Sequence, residues 1–198
     1  MYDRLLHYLP RQGHAPGSTA SAVLVPILSG ADGDRLLFTK RTQTLNSHKG
    51  QVCFPGGKRS PEDPDLVATA LREAEEEVGI RPEDVEILGV LDDVVTITGF
   101  TITPVVGRLA MPYPFKANPD EIDRLIELPL AELLVPRAIS LEERITPGGQ
   151  VLNIYSFWAE GDLVWGATAR ITKRLVDLLT DTDAPMAPEL PDQGTLGR

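Results

Sequence analysis

The chain has 198 residues, of which 42% are hydrophobic and 24% charged, and its formal net charge is −10 at pH 7. This composition indicates one globular domain, and the acidic balance argues against nucleic acid as a bulk partner. No apolar run is long enough for a transmembrane helix, the N-terminus does not read as a secretory signal, and the single cysteine, Cys53, excludes an intramolecular disulfide. We therefore expect a cytoplasmic protein with no membrane association.

The first third of the chain is predicted to form a short helix and a set of strands. Residues 1–18 contain a brief amphipathic stretch and then a Gly/Pro-rich segment, which indicates an N-terminal helix and linker. Two β-rich runs, 19–28 and 35–41, flank Asp32-Gly33, a dipeptide typical of hairpin turns. A shorter strand is expected at 51–54.

The rest of the main domain, which we place at 19–180, is predicted to surround one helix with strands. That helix covers about 65–78 and is ended by Gly79. A final helix is expected at 165–179, and residues 181–198 are expected to be a disordered tail because they are poor in apolar residues. Further strands are predicted at 85–97, 102–110, 121–127 and 151–159, with a short helix at 129–134. These elements indicate an α/β fold, an α/β/α sandwich with a mixed β-sheet.

The central helix presents an acidic face beside an apolar stripe. At about 100° per residue, Glu73, Glu76 and Glu77 share an arc of roughly 100°, whereas Glu75 points to solvent. Like charges three or four residues apart on a helix repel one another, and a divalent cation would remove that penalty. Oxygen ligands suit Mg²⁺ or Mn²⁺, which commonly bridge carboxylates to phosphate. The alternative is a solvated charged face.

A basic segment precedes this helix. From Arg35 to Pro61 the sequence contains no Asp or Glu. Its charged residues are Arg35, Lys40, Arg41, Lys49, Lys58 and Arg59, with His48 in addition. Positive charge delivered next to an acidic, metal-binding helix is what a phosphate-bearing small molecule would need. The alternative is scattered surface charge without a ligand.

The stretch from Gly57 to Ile80 resembles the Nudix box. That signature reads Gly, five residues, Glu, seven residues, and then Arg-Glu-apolar-any-Glu-Glu-any-Gly-apolar. The second half is matched at every fixed position by Arg-Glu-Ala-Glu-Glu-Glu-Val-Gly-Ile at 72–80. The first half departs, because Asp63 stands in place of the family's Glu and Arg72 comes one residue late. The role of Asp63 is therefore open.

A second resemblance lies upstream of the Nudix box. Residues 36–41 (LLFTKR) and 45–57 (LNSHKGQVCFPGG) are similar to the motif of coenzyme A pyrophosphatases, although Asn46 stands where that group usually has Arg. The segment 165–170 (WGATAR) also resembles the start of that group's C-terminal helix. The resemblance implies the Nudix fold and a reaction in which water cleaves coenzyme A into 3′,5′-ADP and 4′-phosphopantetheine, with Mg²⁺ or Mn²⁺ as cofactor.

Together, the acidic face and the resemblance suggest a role for each site residue. The expected metal ligands are Glu73, Glu76, Glu77 and the backbone carbonyl of Gly56. The expected catalytic residues are Glu73 and Glu76 as candidate general bases, and Arg72, which would orient the carboxylates. An acid on a distant loop is the alternative base, and the candidates are Asp120, Glu121, Glu142 and Glu143. The expected phosphate ligands are Arg41, Lys40, Lys49, His48 and Lys58. For Lys40 and Lys58 the alternative is exposed charge, and for His48 a loop-capping role.

Two other functions stay open at this point. The first is hydrolysis of another nucleoside diphosphate derivative, such as ADP-ribose or a diadenosine compound. The second is a nucleotide-sensing module without activity, which the presence of all three acids disfavours. The sequence does not decide the preferred form of coenzyme A, the number of metal ions, or whether the protein is a monomer or a homodimer.

Overall fold

The computed structural model describes residues 2–13, 15–44, 49–145, 149 and 151–182. The α-helices in this part of the chain are α1 (Asp3–His7), α2 (Leu66–Val78), α3 (Leu130–Leu133) and α4 (Gly166–Thr180). The strands are β1 (Thr19–Gly30), β2 (Gly33–Arg41), β3 (Val52–Cys53), β4 (Gly56–Lys58), β5 (Glu86–Val90), β6 (Val94–Val95), β7 (Phe100–Ala110), β8 (Ile122–Pro129), β9 (Ser140–Ile145), β10 (Val151–Ala159) and β11 (Asp162–Trp165).

The larger sheet is mixed and has β1 at its centre. β1 runs parallel to β7, from the pair Thr19–Phe100 to the pair Ser29–Ala110, and antiparallel to β2 and β4. Outside this centre, β3 and β8 pair with β2, while β5 and β6 pair with β7. β1 is apolar along most of its length because both faces of the sheet are covered.

Neighbouring residues of the central strands point into two different cores. Leu24 and Leu37 pack on the side of α2, whereas Val25 and Phe38 pack on the side of α4 and of a three-stranded sheet ordered β11-β10-β9. Successive side chains of a strand point to opposite faces, so each strand contributes to both cores. The fold is the expected α/β/α sandwich with a mixed sheet, with α2 in one outer layer and the C-terminal helix α4 in the other.

The two long helices lie within one residue of their predicted bounds. Asp65 caps α2, because its side chain accepts a hydrogen bond from the backbone N–H of Ala68, and Gly79 ends the helix with φ of 72°. The run predicted as one strand at 85–97 is instead divided into β5 and β6. None of the helices in the described residues is long and apolar enough to cross a membrane.

The N-terminal segment packs against the domain. Leu5 is buried in the core on the α4 side. The Tyr8 hydroxyl donates a hydrogen bond to Asp92 (2.5 Å), and Arg174 of α4 forms an ion pair with the same carboxylate (3.3 Å). The segment that follows the short N-terminal helix is therefore tied to α4 and to the connection between β5 and β6. Of the tail expected at 181–198, the part from residue 183 onward lies outside the described residues.

Candidate active site

Helix α2 holds the three predicted acids at different depths. The residues that fix its rotation, with no exposed surface, are Ala70, Ala74 and Val78. The side chain of Glu77 is 3% exposed, that of Glu73 is 18% exposed and that of Glu76 is 59% exposed. Glu75 is exposed, as expected. The acidic face therefore runs from the protein interior to solvent, and the deepest acid is Glu77.

Glu77 is a buried carboxylate with two hydrogen-bond donors. The Nη1 atom of Arg41 donates to its Oε1 (3.1 Å), and the backbone N–H of Gly56 donates to its Oε2 (3.2 Å). Burial raises the pKa of Glu77 to about 7; Arg41 and the Gly56 N–H oppose this rise, and the negative charges of Glu121 and Glu73 add to it. Because a nearby cation favours the ionised form of a carboxylate, Glu77 would gain from a bound cation.

Glu121 joins this cluster from the loop before β8. Its Oε2 atom lies 3.6 Å from Nη2 of Arg41, so one guanidinium contacts both Glu77 and Glu121. Of the other proposed loop acids, Asp120 is exposed and lies next to Glu121 in the chain. Glu142 and Glu143 belong to β9, in the three-stranded sheet that packs on the α4 side. The structure thus places Glu121, rather than the β9 acids, beside the acids of α2.

Glu73 lies directly against the two glycines that begin β4. A Cβ atom at Gly57 would come within 2.4 Å of the Glu73 carboxylate, and one at Gly56 within 2.4 Å of the Ala22 carbonyl oxygen. Burial raises the pKa of Glu73, the neighbouring Arg72 opposes the rise, and Glu76 and Glu121 add to it. Glycine is thus required at both positions, since any side chain would separate β4 from the carboxylate or from β1.

Asp63, whose role the sequence leaves open, holds Arg72. The Arg72 guanidinium donates from Nε to Oδ1 (3.0 Å) and from Nη2 to Oδ2 (3.1 Å) of Asp63, and it also contacts Glu73 (2.9 Å) and Glu76 (3.1 Å). The pKa of Asp63 lies well below its ordinary value because of the hydrogen bonds from Arg72. Asp63 also accepts hydrogen bonds from the Ser60 N–H and the Thr69 hydroxyl (both 2.9 Å). Asp63 therefore orients Arg72, and Arg72 contacts two of the acids.

The two adjacent cations of β2 lie on opposite faces of the sheet. Arg41 faces α2 and contacts the acidic cluster, whereas Lys40 forms an ion pair with Asp162 of β11 (2.9 Å), each side chain being 23% exposed. Asp162 is also bound by Arg124 (2.7 Å). Lys40 is therefore engaged in the opposite layer, away from Arg41 and the acids of α2. Strand alternation separates the two residues.

The remaining cations proposed for the substrate lie near the rim or outside the described residues. The Lys58 ammonium is 5.6 Å from the centroid of the Phe100 ring, and the Lys58 side chain is exposed. Lys49 is exposed, and His48 lies outside the described residues. Among the proposed phosphate ligands that the structure describes, Arg41 is the one in contact with the acids.

The donor chemistry of the cluster suits a hard divalent cation. Glu73, Glu77 and Glu121 bring oxygen ligands together, and the negative charge of Glu121 disfavours ionisation of both Glu73 and Glu77. Within the described ranges, however, no group of three or more Asp, Glu, His or Cys side chains converges closely enough to hold an ion. Arg41 and Arg72 contact the carboxylates instead. The residues fit a cation chemically, and their side chains would have to move closer together to hold one.

Two contacts of this site were not predicted from the sequence. The bond between Arg41 and Glu77 joins β2 to α2, and only the two-residue period of β2 could have indicated that Arg41, unlike Lys40, faces the helix. The bonds between Asp63 and Arg72 arise because the turn before α2 folds back over the first half of the helix. The sequence signal for this contact was the position of Asp63 in the motif, at which the family has an acidic residue.

Comparisons with known proteins define the class to which this fold and site belong. The family model for the NUDIX domain matches residues 18–147. A Cronobacter sakazakii protein named "Uncharacterized Nudix hydrolase NudL" is 44% identical over 156 residues, which is 78% of this chain and 80% of that protein. A protein of the same name from Photorhabdus laumondii is 41% identical over 155 residues, covering 78% and 82%. The chain belongs to the Nudix hydrolase family, whose members generally use divalent metal ions and act on small nucleotide substrates.

Solved structures agree on the fold. The Nudix hydrolase RenU from M. smegmatis superposes with a TM-score of 0.57 at 17% identity, covering 86% of this chain and 91% of that protein. A C. elegans Ap4A hydrolase binary complex gives a TM-score of 0.50 at 18% identity, covering 58% and 83%. At these identities the likeness concerns the fold, and the sandwich around α2 is thus the Nudix architecture.

Proposed function

We propose that this enzyme hydrolyses the pyrophosphate bond of coenzyme A, or of its derivatives, to 3′,5′-ADP and 4′-phosphopantetheine, with Mg²⁺ or Mn²⁺ and in the cytoplasm. The observation that carries the reaction type is the cluster of Glu73, Glu77 and Glu121, in which Arg41 contacts Glu77 and Glu121 and the glycines of β4 let the backbone approach. The substrate is supported by the coenzyme A pyrophosphatase-like sequence at 36–41 and 45–57, whose described residues include the end of β2, all of β3 and the start of β4.

The acids of α2 are proposed to hold the metal. Glu73, Glu76 and Glu77 would be its ligands, and the backbone carbonyl of Gly56 would be an additional oxygen donor. When bound, the ion neutralises charge on the bridging and leaving oxygens and lowers the pKa of a bound water. Because Glu77 is buried and its pKa is raised to about 7, it would release its proton as the ion binds.

Arg72 is proposed to act as a positioning residue in the catalytic set. Its guanidinium contacts Glu73 and Glu76 and is itself fixed by the two hydrogen bonds to Asp63. A planar guanidinium held at one edge keeps little freedom, so it sets the orientation of both carboxylates. Asp63 would then affect catalysis through Arg72 alone.

Glu121 is the proposed general base among the loop acids. Glu121 lies beside Arg41, and its negative charge raises the pKa of both Glu73 and Glu77. Its side chain is 41% exposed, so water can reach it. Glu73 and Glu76 remain alternatives on α2 itself. A base must lie within hydrogen-bond reach of the attacking water, and Glu121 is the loop acid that the fold brings to the cluster.

Arg41 is proposed to bind the phosphates of the substrate. Its guanidinium is 20% exposed and lies next to the acids that would hold the ion. Lys49 and Lys58, which are exposed, would contact the substrate from the edge of the site, and His48 is a further proposed phosphate ligand. Lys40 is left out of this set because its ammonium pairs with Asp162 in the opposite layer.

The test is a comparison of kcat/KM on a panel of substrates with product identification. The panel contains coenzyme A, an acylated and an oxidised form of it, ADP-ribose and a diadenosine polyphosphate. We expect coenzyme A or one of its derivatives to give the highest kcat/KM, with 3′,5′-ADP among the products. Faster hydrolysis of ADP-ribose or of the diadenosine compound would overturn the substrate assignment and leave the reaction type intact.

A further inference from the structure

Strand β9 forms one edge of the three-stranded sheet. On one side β9 pairs with β10, from Ser140–Ser156 to Ile145–Val151, and within the described ranges no strand pairs with its other side. All of its side chains are exposed, including Leu141 at 52% and Ile145 at 75%. An exposed edge carries unpaired backbone N–H and C=O groups and is a template for another strand.

The order of side chains along β9 is complementary to itself in one register. A two-fold axis perpendicular to the sheet pairs two copies of a strand antiparallel and brings residues of the same face opposite each other. With that axis at Glu143, Glu142 of each copy lies opposite Arg144 of the other, and Leu141 lies opposite Ile145. Two charge pairs and two apolar pairs thus form from one strand sequence.

Registers in which the two-fold axis passes through a neighbouring residue are less favourable. An axis at Glu142 places the two Glu142 side chains opposite each other and sets Leu141 against Glu143. An axis at Arg144 places two arginines opposite each other and sets Glu143 against Ile145. Like charges directly opposite destabilise a strand pair, and each of these three registers contains one such pair on its axis. Only the register centred on Glu143 also contains opposite-charge pairs. The charges of β9 therefore favour pairing with a second copy of β9 in the register centred on Glu143 over the other registers.

We propose that two copies of this chain associate through β9, which joins their three-stranded sheets into one continuous sheet across a two-fold axis. The surface involved is separate from α2 and the acidic cluster, so the proposal does not rest on the proposed function. An interface built on one strand is small, and we expect a dimer that dissociates on dilution.

The test is sedimentation velocity of the full chain over a wide concentration range, with charge-reversal variants. The wild type is expected to show a concentration-dependent dimer. Glu142→Arg and Arg144→Glu should each weaken dimerisation by about tenfold, because each turns both opposite-charge pairs into like-charge pairs. The double variant, which restores opposite charges in the same register, should recover the wild-type dissociation constant.

Leu163→Lys is the matched control. Leu163 is exposed (45%) and apolar but lies on β11, at the other edge of the same sheet, so this variant should dimerise like the wild type. Thermal melting of each variant verifies that it is folded. A wild type that stays monomeric at every concentration, a double variant as weak as the single ones, or a loss of dimer in Leu163→Lys would each overturn the proposal.

Discussion

Replacing Glu77 by Gln tests the electrostatics of the buried acid. The change keeps the shape of the side chain and removes its charge. The pKa of Glu77 in the fold is about 7, against an ordinary value of 4.5. In this pH interval the folded state binds a proton that the unfolded state does not, so the wild type loses stability as pH rises and the loss is complete above about 7. At about 1.36 kcal/mol per pH unit, the loss amounts to about 3 kcal/mol.

The assay is urea unfolding of wild type and variant between pH 4.5 and 8, with a chelator present. The variant lacks this titration, so the difference in unfolding free energy should shift by about 3 kcal/mol in its favour from the acid end to the alkaline end. The lost contact with Arg41 adds an offset that does not depend on this titration. Glu75→Gln, on the exposed side of α2, is the control and should run parallel to the wild type. Parallel profiles for Glu77→Gln would refute the argument from burial.

Two further predictions concern the residues around the cluster. Arg41→Met should raise KM by about tenfold or more, because charge-assisted hydrogen bonds to phosphate are lost. Lys40→Met, on the opposite face of the sheet, should leave KM unchanged. Equal effects of the two variants in steady-state assays would contradict the assignment of the two faces. Asp63→Asn should lower kcat by roughly tenfold with little change in KM, because Arg72 loses the carboxylate that orients it. Asp63→Glu, which keeps a carboxylate, should retain more activity. An Asp63→Asn enzyme with wild-type kcat would show that Arg72 does not need this carboxylate.

The elements that frame the site could be predicted because local signals define them. From the sequence either Asp63 or Asp65 could cap α2, and Gly79 indicated its end; Asp65 is the cap, and Gly79 has a left-handed φ. These signals depend on neighbouring residues alone. The rotation of α2 followed from its apolar stripe, which places Ala74 and Val78 against the sheet. The relative depth of the acids did not follow, since the pattern gives direction and not the distance to solvent. Glu77 can be buried because Arg41 of β2 and the Gly56 N–H of β4 donate hydrogen bonds to its carboxylate.

Contacts between distant parts of the chain could not be predicted from local sequence patterns. Glu121 was one of four loop acids with equal standing, and only the pairing of β8 with β2 brings it beside Arg41. Lys40 and Arg41 were treated alike as part of one basic segment, although their neighbours Thr39 and Phe38, which face opposite cores, could have separated them. Net charge along the sequence does not report which face of a strand carries it. The partner of Lys40, Asp162, follows a turn that no local signal relates to β2.

Mg²⁺-dependent hydrolysis of coenzyme A by wild type, Glu77→Gln and Glu75→Gln tests the central claim most directly. We expect the wild type and Glu75→Gln to release 3′,5′-ADP at similar rates. Glu77→Gln should remain folded and lose activity by about a hundredfold or more, because ion binding supplies several kcal/mol of transition-state stabilisation. A folded Glu77→Gln enzyme with full activity would contradict the metal-binding role of the acidic face of α2.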